Sequence, residues 1–391
     1  MKRKLITLFV ALAMCLNLAA CGGSKQAEAP APAAEPAAEP AQQEEAKGIA
    51  KEDLLVGFVQ LSDPSDMGYT YNHDLGTQKM KENLGLTDEQ VISKYNTPDD
   101  MNALTAINEL IEAGCQIIFA TSFGHEDAML EAAAQHPEIQ FCHATGYRAA
   151  SSGLPNMHNY FVNIYEARYL CGIAAGLKTE SNHLGYVAAF PFAEVISGYT
   201  AFYLGAKSVN PDVTMDVMYT NSWNDPVTEA QVAKSLIDRG CDVISQHSDA
   251  TSSATTCEEA GVFHCGYNAD MSEAAPQASI ISARADWSVY LTYAVQCMLD
   301  GEEIVTDWSE GFNEGACYLS PLNTAIAAEG TQEAIDAAQA AITAGDLHVF
   351  AGPLTDVEGN VVVPEGEYFH ESEEVSAPAW AYILEGINVL E

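Results

Sequence analysis

Apolar runs of strand length alternate with loops and helix-patterned segments along most of the chain. The first run spans residues 54–59, and a loop rich in Ser, Asp, Pro and Gly joins it to a helix that starts between Tyr69 and Asp74. An apolar run, a polar loop and a helix form the first half of a βαβ unit. Later runs repeat this order at 91–96, 115–122, 139–146, 183–190, 213–223, 241–249, 262–270 and 279–286. The alternation predicts an α/β protein with parallel strands and crossover helices.

The predicted strands are too many for one small sheet. The chain has 391 residues, which is enough for two domains. Parallel strands are buried on both faces, so each sheet needs helices on both sides. We therefore expect two parallel sheets, each covered by helices, with a further late helix over 331–345.

The N-terminal segment has a different pattern. Residues 1–20 combine a basic start with an apolar stretch and small residues, which is typical of a secretory signal peptide. The ending Leu18-Ala-Ala-Cys21 looks like a bacterial lipobox in which Cys21 is lipidated; an ordinary signal peptide with an incidental cysteine is the alternative. Residues 21–50 are rich in Ala, Pro and Glu and predict an extended tether. We expect a body held at the outer face of the bacterial cytoplasmic membrane through its lipid anchor only.

Charge and cysteine usage narrow the class of protein. With 16 basic and 55 acidic residues the net charge is −39, which argues against nucleic acid as a partner. It also argues against adsorption to an anionic membrane surface. Besides Cys15 and Cys21, eight cysteines remain, none in a CxxC pair, so the spacing does not favour structural zinc. We expect mostly buried free thiols, with one disulfide left open.

The motifs of common catalytic and cofactor sites do not occur. There is no GxGxxG and no GxxxxGK[ST], so neither a dinucleotide site nor a P-loop is predicted. His125-Glu126-Asp127 is not HExxH, and no GxSxG elbow is present. The other histidines are scattered along the chain. We therefore expect no enzyme activity, no cofactor and no metal site.

Aromatic and polar side chains follow nearly every predicted strand. In open α/β sheets the ligand binds at the carboxyl ends of the strands. Rings offer flat faces for stacking, and Asp and Asn read donor and acceptor edges. These positions suit a flat, neutral, hydrogen-bond-rich ligand such as a nucleobase or nucleoside. In chain order they are Asp63, Asp66, Tyr69, Tyr71, Phe123, His125, Glu126, Asp127, Phe190, Phe192, Glu194, Asn221, Trp223, Asn224, Asp225, His247, Ser248, Asp249, Tyr267, Asn268, Asp270, Arg284, Asp286 and Trp287.

Several stretches together resemble one family of proteins. They include ATSFGHEDAM (120–129), IYEARYLCGIAAG (164–176), GYVAAFPFAEVISG (185–198), TNSWNDPVTEA (220–230) and GYNADMS (266–272). The family is that of the BMP (basic membrane protein) or PnrA-like substrate-binding lipoproteins of ABC transporters. The resemblance covers the chain from about residue 54 to its end.

The resemblance implies a type 1 periplasmic-binding-protein fold, with two parallel-sheet lobes joined by a three-crossover hinge. Lobe 1 would comprise residues 51–163 and 285–310, and lobe 2 residues 164–284 and 311–391. The ligand would lie between the lobes, and closure about the hinge would follow its binding.

The resemblance also assigns roles to residues. Tyr69 resembles the first-loop ring that stacks on a base, and Asp127 resembles an aspartate that reads the base edge. Phe192 or Trp223 would supply the opposing ring. Asp249, Asn268 and Asp270 resemble ribose-side or polar-edge positions, and Arg284 stands where some relatives have lysine. The full predicted ligand-binding set is Tyr69, Phe123, Asp127, Phe192, Trp223, Asp249, Asn268, Asp270, Arg284 and Trp287.

The predicted function is therefore that of a lipid-anchored substrate-binding protein of an ABC importer. It would bind a purine nucleoside or purine base and deliver it to a permease that works with an ATPase. A ligand-binding sensor module and a binding protein for a non-purine small molecule are the alternatives. An exported nucleoside hydrolase is a third possibility, which turnover of nucleosides would reveal.

Overall fold

Two parallel β-sheets with helices packed on them make up the fold. The structure is a computed structural model that describes residues 48–372 and 375–390. The predicted signal peptide and Cys21 lie outside the described residues, as does the tether up to residue 47. Both sheets belong to one structural unit. Within this described part, no helix has the length and apolar character that a membrane span needs.

The elements follow the predicted alternation. The strands are β1 (Val56–Val59), β2 (Val91–Lys94), β3 (Ile117–Ala120), β4 (Gln140–Ala144), β5 (Met157–Val162), β6 (His183–Ala188), β7 (Thr214–Tyr219), β8 (Val243–His247), β9 (Phe263–Tyr267), β10 (Ser279–Ala285), β11 (Asp307–Glu310), β12 (Cys317–Leu319), β13 (Leu354–Thr355), β14 (Val361–Val363) and β15 (Ile387–Leu390). The helices are α1 (Tyr69–Leu84), α2 (Ala103–Glu112), α3 (Glu126–Gln135), α4 (Ala149–Ser152), α5 (Ile164–Lys178), α6 (Ala193–Val209), α7 (Pro226–Asp238), α8 (Ser252–Ala260), α9 (Ser288–Asp300) and α10 (Thr331–Ala344).

The two large sheets have the strand orders β11-β5-β4-β3-β1-β2 and β12-β10-β9-β8-β6-β7-β15. Every pairing in the first sheet is parallel. In the second sheet the pairing of β10 with β12 is antiparallel, and the others are parallel. The predicted α/β class with two parallel sheets is therefore confirmed.

The chain passes between the two sheets three times. It leaves the first sheet after β5 and enters the second at β6, returns after β10 to β11, and crosses again to β12. Helix α9 lies in the return segment and packs against α1 of the first lobe. This is the connectivity of two lobes joined by a three-crossover hinge. The lobe boundaries assigned from the sequence stay a prediction.

Close helix packing stabilises the second lobe. Helices α5 and α6 lie side by side, and a Cβ at Gly205 would sit 1.9 Å from the backbone oxygen of Tyr169. Any larger residue would therefore push α6 away from α5 and from the strands under it. The eight cysteines in the described part are buried free thiols, which agrees with their expected role as small apolar side chains.

Five short strands had no counterpart in the sequence pattern, and two of them, β13 and β14, pair only with each other. Strand β11 extends the first sheet, while β12 and β15 extend the edges of the second. The predicted strand over 213–223 is also shorter, because β7 ends at Tyr219 and the next residues form a loop that carries Trp223. Strands of three or four residues give too few positions for an alternation to be recognised.

Candidate functional site

A cavity lies where the carboxyl ends of the two sheets face each other. About 320 Å³ of non-atom space lies within it, part of which is open to solvent, and both lobes contribute to its walls. Each lining residue belongs to the end of a strand or to the segment that follows one, as the rule for open α/β sheets requires. The lining residues are Leu61, Tyr69, Thr121, Ser122, Phe123 and Thr145 from the first lobe, and Glu194, Trp223, His247, Asp249 and Tyr267 from the second.

Tyr69 forms part of the first wall because the loop before it is held tightly. The Asp66 carboxylate accepts hydrogen bonds from the backbone nitrogens of Gly68, Thr70 and Tyr71, at 2.9–3.0 Å, and so caps α1. Tyr69 is the first residue of that helix, and its hydroxyl donates to the backbone oxygen of Thr121 at 2.7 Å. Both ends of the tyrosine are thus fixed, and its ring lines the cavity.

A stack of two phenylalanines bridges the lobes beside the cavity. The ring centroids of Phe123 and Phe192 are 4.7 Å apart with an interplanar angle of 23°. A third ring between them would need about 7 Å between the planes. In this conformation Phe192 therefore packs on Phe123. Trp223 lines the cavity instead, together with Tyr267 of the same lobe, and its ring meets Phe190 edge-on at 5.1 Å.

The lobes also meet through their backbones. A Cβ at Gly68 would lie 1.5 Å from the backbone oxygen of Asp249, so the first-lobe loop touches the second lobe directly. The Asn224 side-chain amide donates to the Ser62 hydroxyl at 3.4 Å across the same gap. The structure therefore represents a closed arrangement of the two lobes.

Two of the polar side chains that line the cavity are acidic. Glu194 is 7% exposed and Asp249 6%. Burial raises the pKa of Glu194 to about 8, although the positive charge of Arg168 opposes this. Burial, reinforced by Asp66, Glu229 and other acidic groups, raises the pKa of Asp249 well above its usual value. Both carboxyls therefore take up protons more readily than they would in water.

His247 and Arg168 lie close to Glu194. Burial, together with the nearby Arg168, lowers the pKa of His247 well below its usual value, so its imidazole is neutral. The Arg168 guanidinium lies 3.9 Å above the centre of the Tyr267 ring and donates to the Tyr186 hydroxyl and the Gln246 backbone oxygen, at 2.6 and 2.8 Å. The arginine thus supports the wall of the cavity from its buried side.

Other predicted residues line a second cavity on the far side of the Gly68–Asp249 contact. Asp270 and Arg284 lie there, with about 720 Å³ of empty space around them. Asp270 accepts from the backbone nitrogen and hydroxyl of Ser272, at 3.0 and 2.6 Å. The Arg284 Nε donates to the backbone oxygen of Asn268 at 3.0 Å, and its guanidinium lies over Tyr318. Asn268 is fully buried, with a left-handed φ of 65°.

Asp127 and Trp287 lie apart from the central cavity. The Asp127 side chain is 65% exposed and pairs with Arg148. Trp287 is buried and stacks parallel on His73 with 4.1 Å between the ring centres. Of the predicted set, Tyr69, Phe123, Trp223 and Asp249 come together around one cavity. The ligand contacts of all ten residues stay a prediction.

Glu194, His247 and Tyr267 line the cavity but were not in the predicted set, although each follows or ends a predicted strand. Glu194 lies in the first turn of α6, where a carboxylate is ordinarily explained by the helix dipole. Leu61, Thr145 and the Thr121–Ser122 pair carry no distinctive chemistry in the sequence. The signal that could have found Glu194 is its position two residues after Phe192, on a loop already singled out.

The described residues contain one group of three side chains that could hold a metal ion, namely His183, Asp216 and Cys241. It lies at the start of β6 and β7, at the opposite end of the second sheet from the cavity. Arg239 Nε donates to Asp216 Oδ2 at 2.6 Å, and Asn388 donates to the other carboxylate oxygen at 2.9 Å. A guanidinium on the same oxygen disfavours a metal ion there, and the group forms a charge network instead.

Two α/β lobes with a ring-lined cavity between their strand ends define a two-lobed binding protein for a small molecule. Residues 54–345 match the family model described as Bmp, the ABC transporter substrate-binding protein PnrA-like family. The chain belongs to this family, and the family predicted from the sequence is confirmed. A substrate-binding protein of an ABC transporter binds its ligand and does not transform it, so the chain is not an enzyme.

Relatives and solved structures agree with this family. The chain is 36% identical to a purine-binding protein of Brucella abortus over 273 residues, covering 70% of this chain and 77% of that protein. It is 34% identical to a putative ABC transporter glucose-binding protein of Haloferax volcanii, covering 71% and 69%.

Solute-binding proteins of ABC transporter systems share the fold. The protein from Conexibacter woesei has a TM-score of 0.61 at 16% identity, covering 75% of this chain and 98% of that chain. The protein from Aeropyrum pernix has a TM-score of 0.64 at 17% identity, covering 75% and 92%. The predicted periplasmic-binding-protein fold is thereby confirmed.

Proposed function

We propose that this protein is an extracytoplasmic, lipid-anchored receptor that binds a purine base or nucleoside between its lobes and delivers it to the permease of an ABC importer. The observation that carries the proposal is the cavity itself. Tyr69 and Phe123 from one lobe and Trp223 and Tyr267 from the other surround a small number of polar groups. Flat rings with a few acceptors match a purine, which stacks through its faces and bonds through its edge.

The charges of the cavity favour an uncharged ligand. Glu194 and Asp249 line it, whereas Arg168, which lies over the Tyr267 ring, is not among the lining residues. A phosphate group placed in the cavity would face two acidic side chains. We therefore propose a base or nucleoside, and not a nucleotide, as the ligand. The purine-binding relative at 36% identity supports the same chemical class.

Binding would act through closure of the lobes. Contacts across the gap, such as Phe123 with Phe192 and Gly68 with Asp249, hold the closed form together. A ligand that contacts both walls adds to these contacts only when the lobes are closed, so it shifts the population to the closed form. The permease would then recognise that form.

A panel of purines, nucleosides, sugars and amino acids in a thermal-shift assay tests the ligand class. A ligand at 100 times its Kd adds about 2.7 kcal/mol to the free energy of unfolding, which shifts Tm measurably. We expect purines or their nucleosides to raise Tm. Loss of the Trp223 ring in Trp223→Ala should weaken binding by about 1–3 kcal/mol. Tyr382→Ala, which removes an exposed ring outside the cavity, is the matched control.

A sugar is the second candidate ligand. Carboxyl groups beside an aromatic ring also suit the hydroxyls and apolar face of a sugar, and Asp249 and Trp223 provide both. The relative named as a putative glucose-binding protein points the same way. A Tm shift with glucose and none with purines would replace the purine proposal with this one.

The anchor has its own test. Cys21→Ser should move the protein from the membrane fraction to the medium or periplasm, while Cys15→Ser should not. Continued membrane retention of Cys21→Ser would refute the lipid anchor.

A further inference from the structure

Two carboxyl groups line the central cavity, those of Glu194 and Asp249. Neither Glu194 nor Asp249 accepts a hydrogen bond at its side chain from the residues that the structure describes. The contact closest to an ion pair joins Glu194 Oε1 to His247 Nε2 at 3.7 Å, and that imidazole is neutral. Both carboxyls are more than nine-tenths buried, and both line the central cavity.

Several buried acids elsewhere in the fold have protein partners, although the Asp307 carboxylate, outside the cavity, has none among the described residues. Glu126 accepts from the backbone nitrogens of Tyr147 and Arg148 at 2.8 and 3.0 Å, and from the Arg148 guanidinium. Asp216 accepts from Arg239 and Asn388. Leaving a buried polar group without a partner is costly. Glu194 and Asp249 both lack protein donors in the described part of the chain, and both line the ligand cavity, where a ligand can supply those donors.

We propose that Glu194 and Asp249 are the specificity-determining residues of the cleft, and that they select a purine whose amino and ring N–H groups donate hydrogen bonds to them. The inference rests on the proposed function and narrows it. An exocyclic amino group supplies two donors from one atom, and carboxylate oxygens are acceptors only. An oxo group at the same position offers only lone pairs, so it could pair with a carboxyl only if that carboxyl kept its proton. Aminopurines should therefore bind more tightly than oxopurines such as hypoxanthine.

The geometry allows the carboxyls to ionise when such a ligand binds. Arg168 lies behind the wall and favours the ionised form of Glu194. The pKa of Glu194, about 8, is close to neutral pH, so charge-assisted N–H bonds suffice to ionise it. Binding of a donor ligand at pH 7 should then release protons. The titratable and charged groups around the pair are Asp66, Tyr69, Asp99, Arg168, Glu229, His247 and Tyr267.

Two matched ligand pairs test the selection. Guanosine and inosine differ by one amino group at the 2-position, and adenosine and inosine exchange an amino for an oxo group at the 6-position. In calorimetric titrations of the protein, we expect at least one amino compound to bind about tenfold more tightly than inosine. In Glu194→Gln or Asp249→Asn this ratio should fall towards one. Asp216→Asn removes a buried carboxylate at the other end of the sheet and should leave the ratio unchanged.

A second measurement requires no variant. Titrations at pH 7 in two buffers with different ionisation enthalpies count the protons exchanged, and we expect a net release. Equal binding of inosine and both amino compounds, an unchanged ratio in both variants, or proton uptake on binding would overturn the inference. Failure of every purine to bind would instead refute the proposed function.

Discussion

Replacing Glu194 with glutamine should change how the stability of the ligand-free protein depends on pH. Burial raises the pKa of this carboxyl from 4.5 to about 8. Between these values the folded protein keeps the proton and the unfolded chain releases it. The contribution of protonated Glu194 to the free energy of unfolding is therefore present in full below about pH 4.5 and is lost as the pH rises through 8. Glutamine resembles the protonated acid in shape but does not titrate.

The magnitude follows from the width of this window. Each pH unit within it costs about 1.4 kcal/mol. Between pH 5 and pH 8 the wild type should lose about 3 kcal/mol of unfolding free energy that Glu194→Gln does not lose. The free energy of unfolding of the variant minus that of the wild type should therefore be about 3 kcal/mol larger at pH 8 than at pH 5.

Urea unfolding of both proteins at pH 5, 6.5 and 8 measures this difference. The pKa of Asp307 is also raised, but Glu194 is not among its causes, so its contribution cancels when the two proteins are compared at the same pH. A difference that stays constant across the three pH values would refute the reasoning. It would mean that Glu194 is ionised in the folded protein at pH 5.

Two further predictions concern the closure of the lobes and the charge network opposite the cavity. Gly68→Ala should hold the lobes apart, since its Cβ would lie 1.5 Å from the Asp249 backbone oxygen. We expect the variant to bind the ligand at least tenfold more weakly and to have a larger radius of gyration than the wild type in small-angle scattering with the ligand. An unchanged radius of gyration would contradict this prediction. Burial opposes ionisation of Asp216, but hydrogen bonds from Asn388, Arg239 and His183 outweigh it and hold the pKa below its usual value. Asp216→Asn should therefore lower the free energy of unfolding by about 2 kcal/mol at pH 7, and by progressively less as the pH falls through the pKa of Asp216 in the folded protein. If urea unfolding shows the same loss of stability at pH 7 and pH 2.5, the charge network does not stabilise the fold.

The order of apolar runs and helices along the chain predicts the fold class and the place of the candidate site. Apolar runs separated by helices require parallel strands, and parallel strands place their carboxyl ends at one edge of a sheet. Tyr69, Phe123, Trp223 and Asp249 were among the many positions that this rule assigned to the candidate site, and the family resemblance reduced those positions to ten. These residues do line one cavity in the structure.

The direction of each side chain was decided by the tertiary structure. Asp127 and Glu194 both lie in the first turn of a helix after a strand. Asp127 faces Arg148 at the surface, while Glu194 faces the cavity. The difference lies in how each helix is rotated against its sheet and in which distant residue lies nearby. No local pattern encodes either property.

The edges of the sheets were also decided only by tertiary structure. Strand β15 pairs with β7, and β11 pairs with β5, both from distant parts of the chain. Each has only four residues, so its strand state depends on hydrogen bonds to a partner and not on its own sequence. The closed arrangement of the lobes also depends on tertiary structure, because Gly68 and Asp249 come into contact only when the two sheets pack together. Local sequence determines most of the helices and strands, whereas contacts between remote segments of the chain determine which side chains line the cavity.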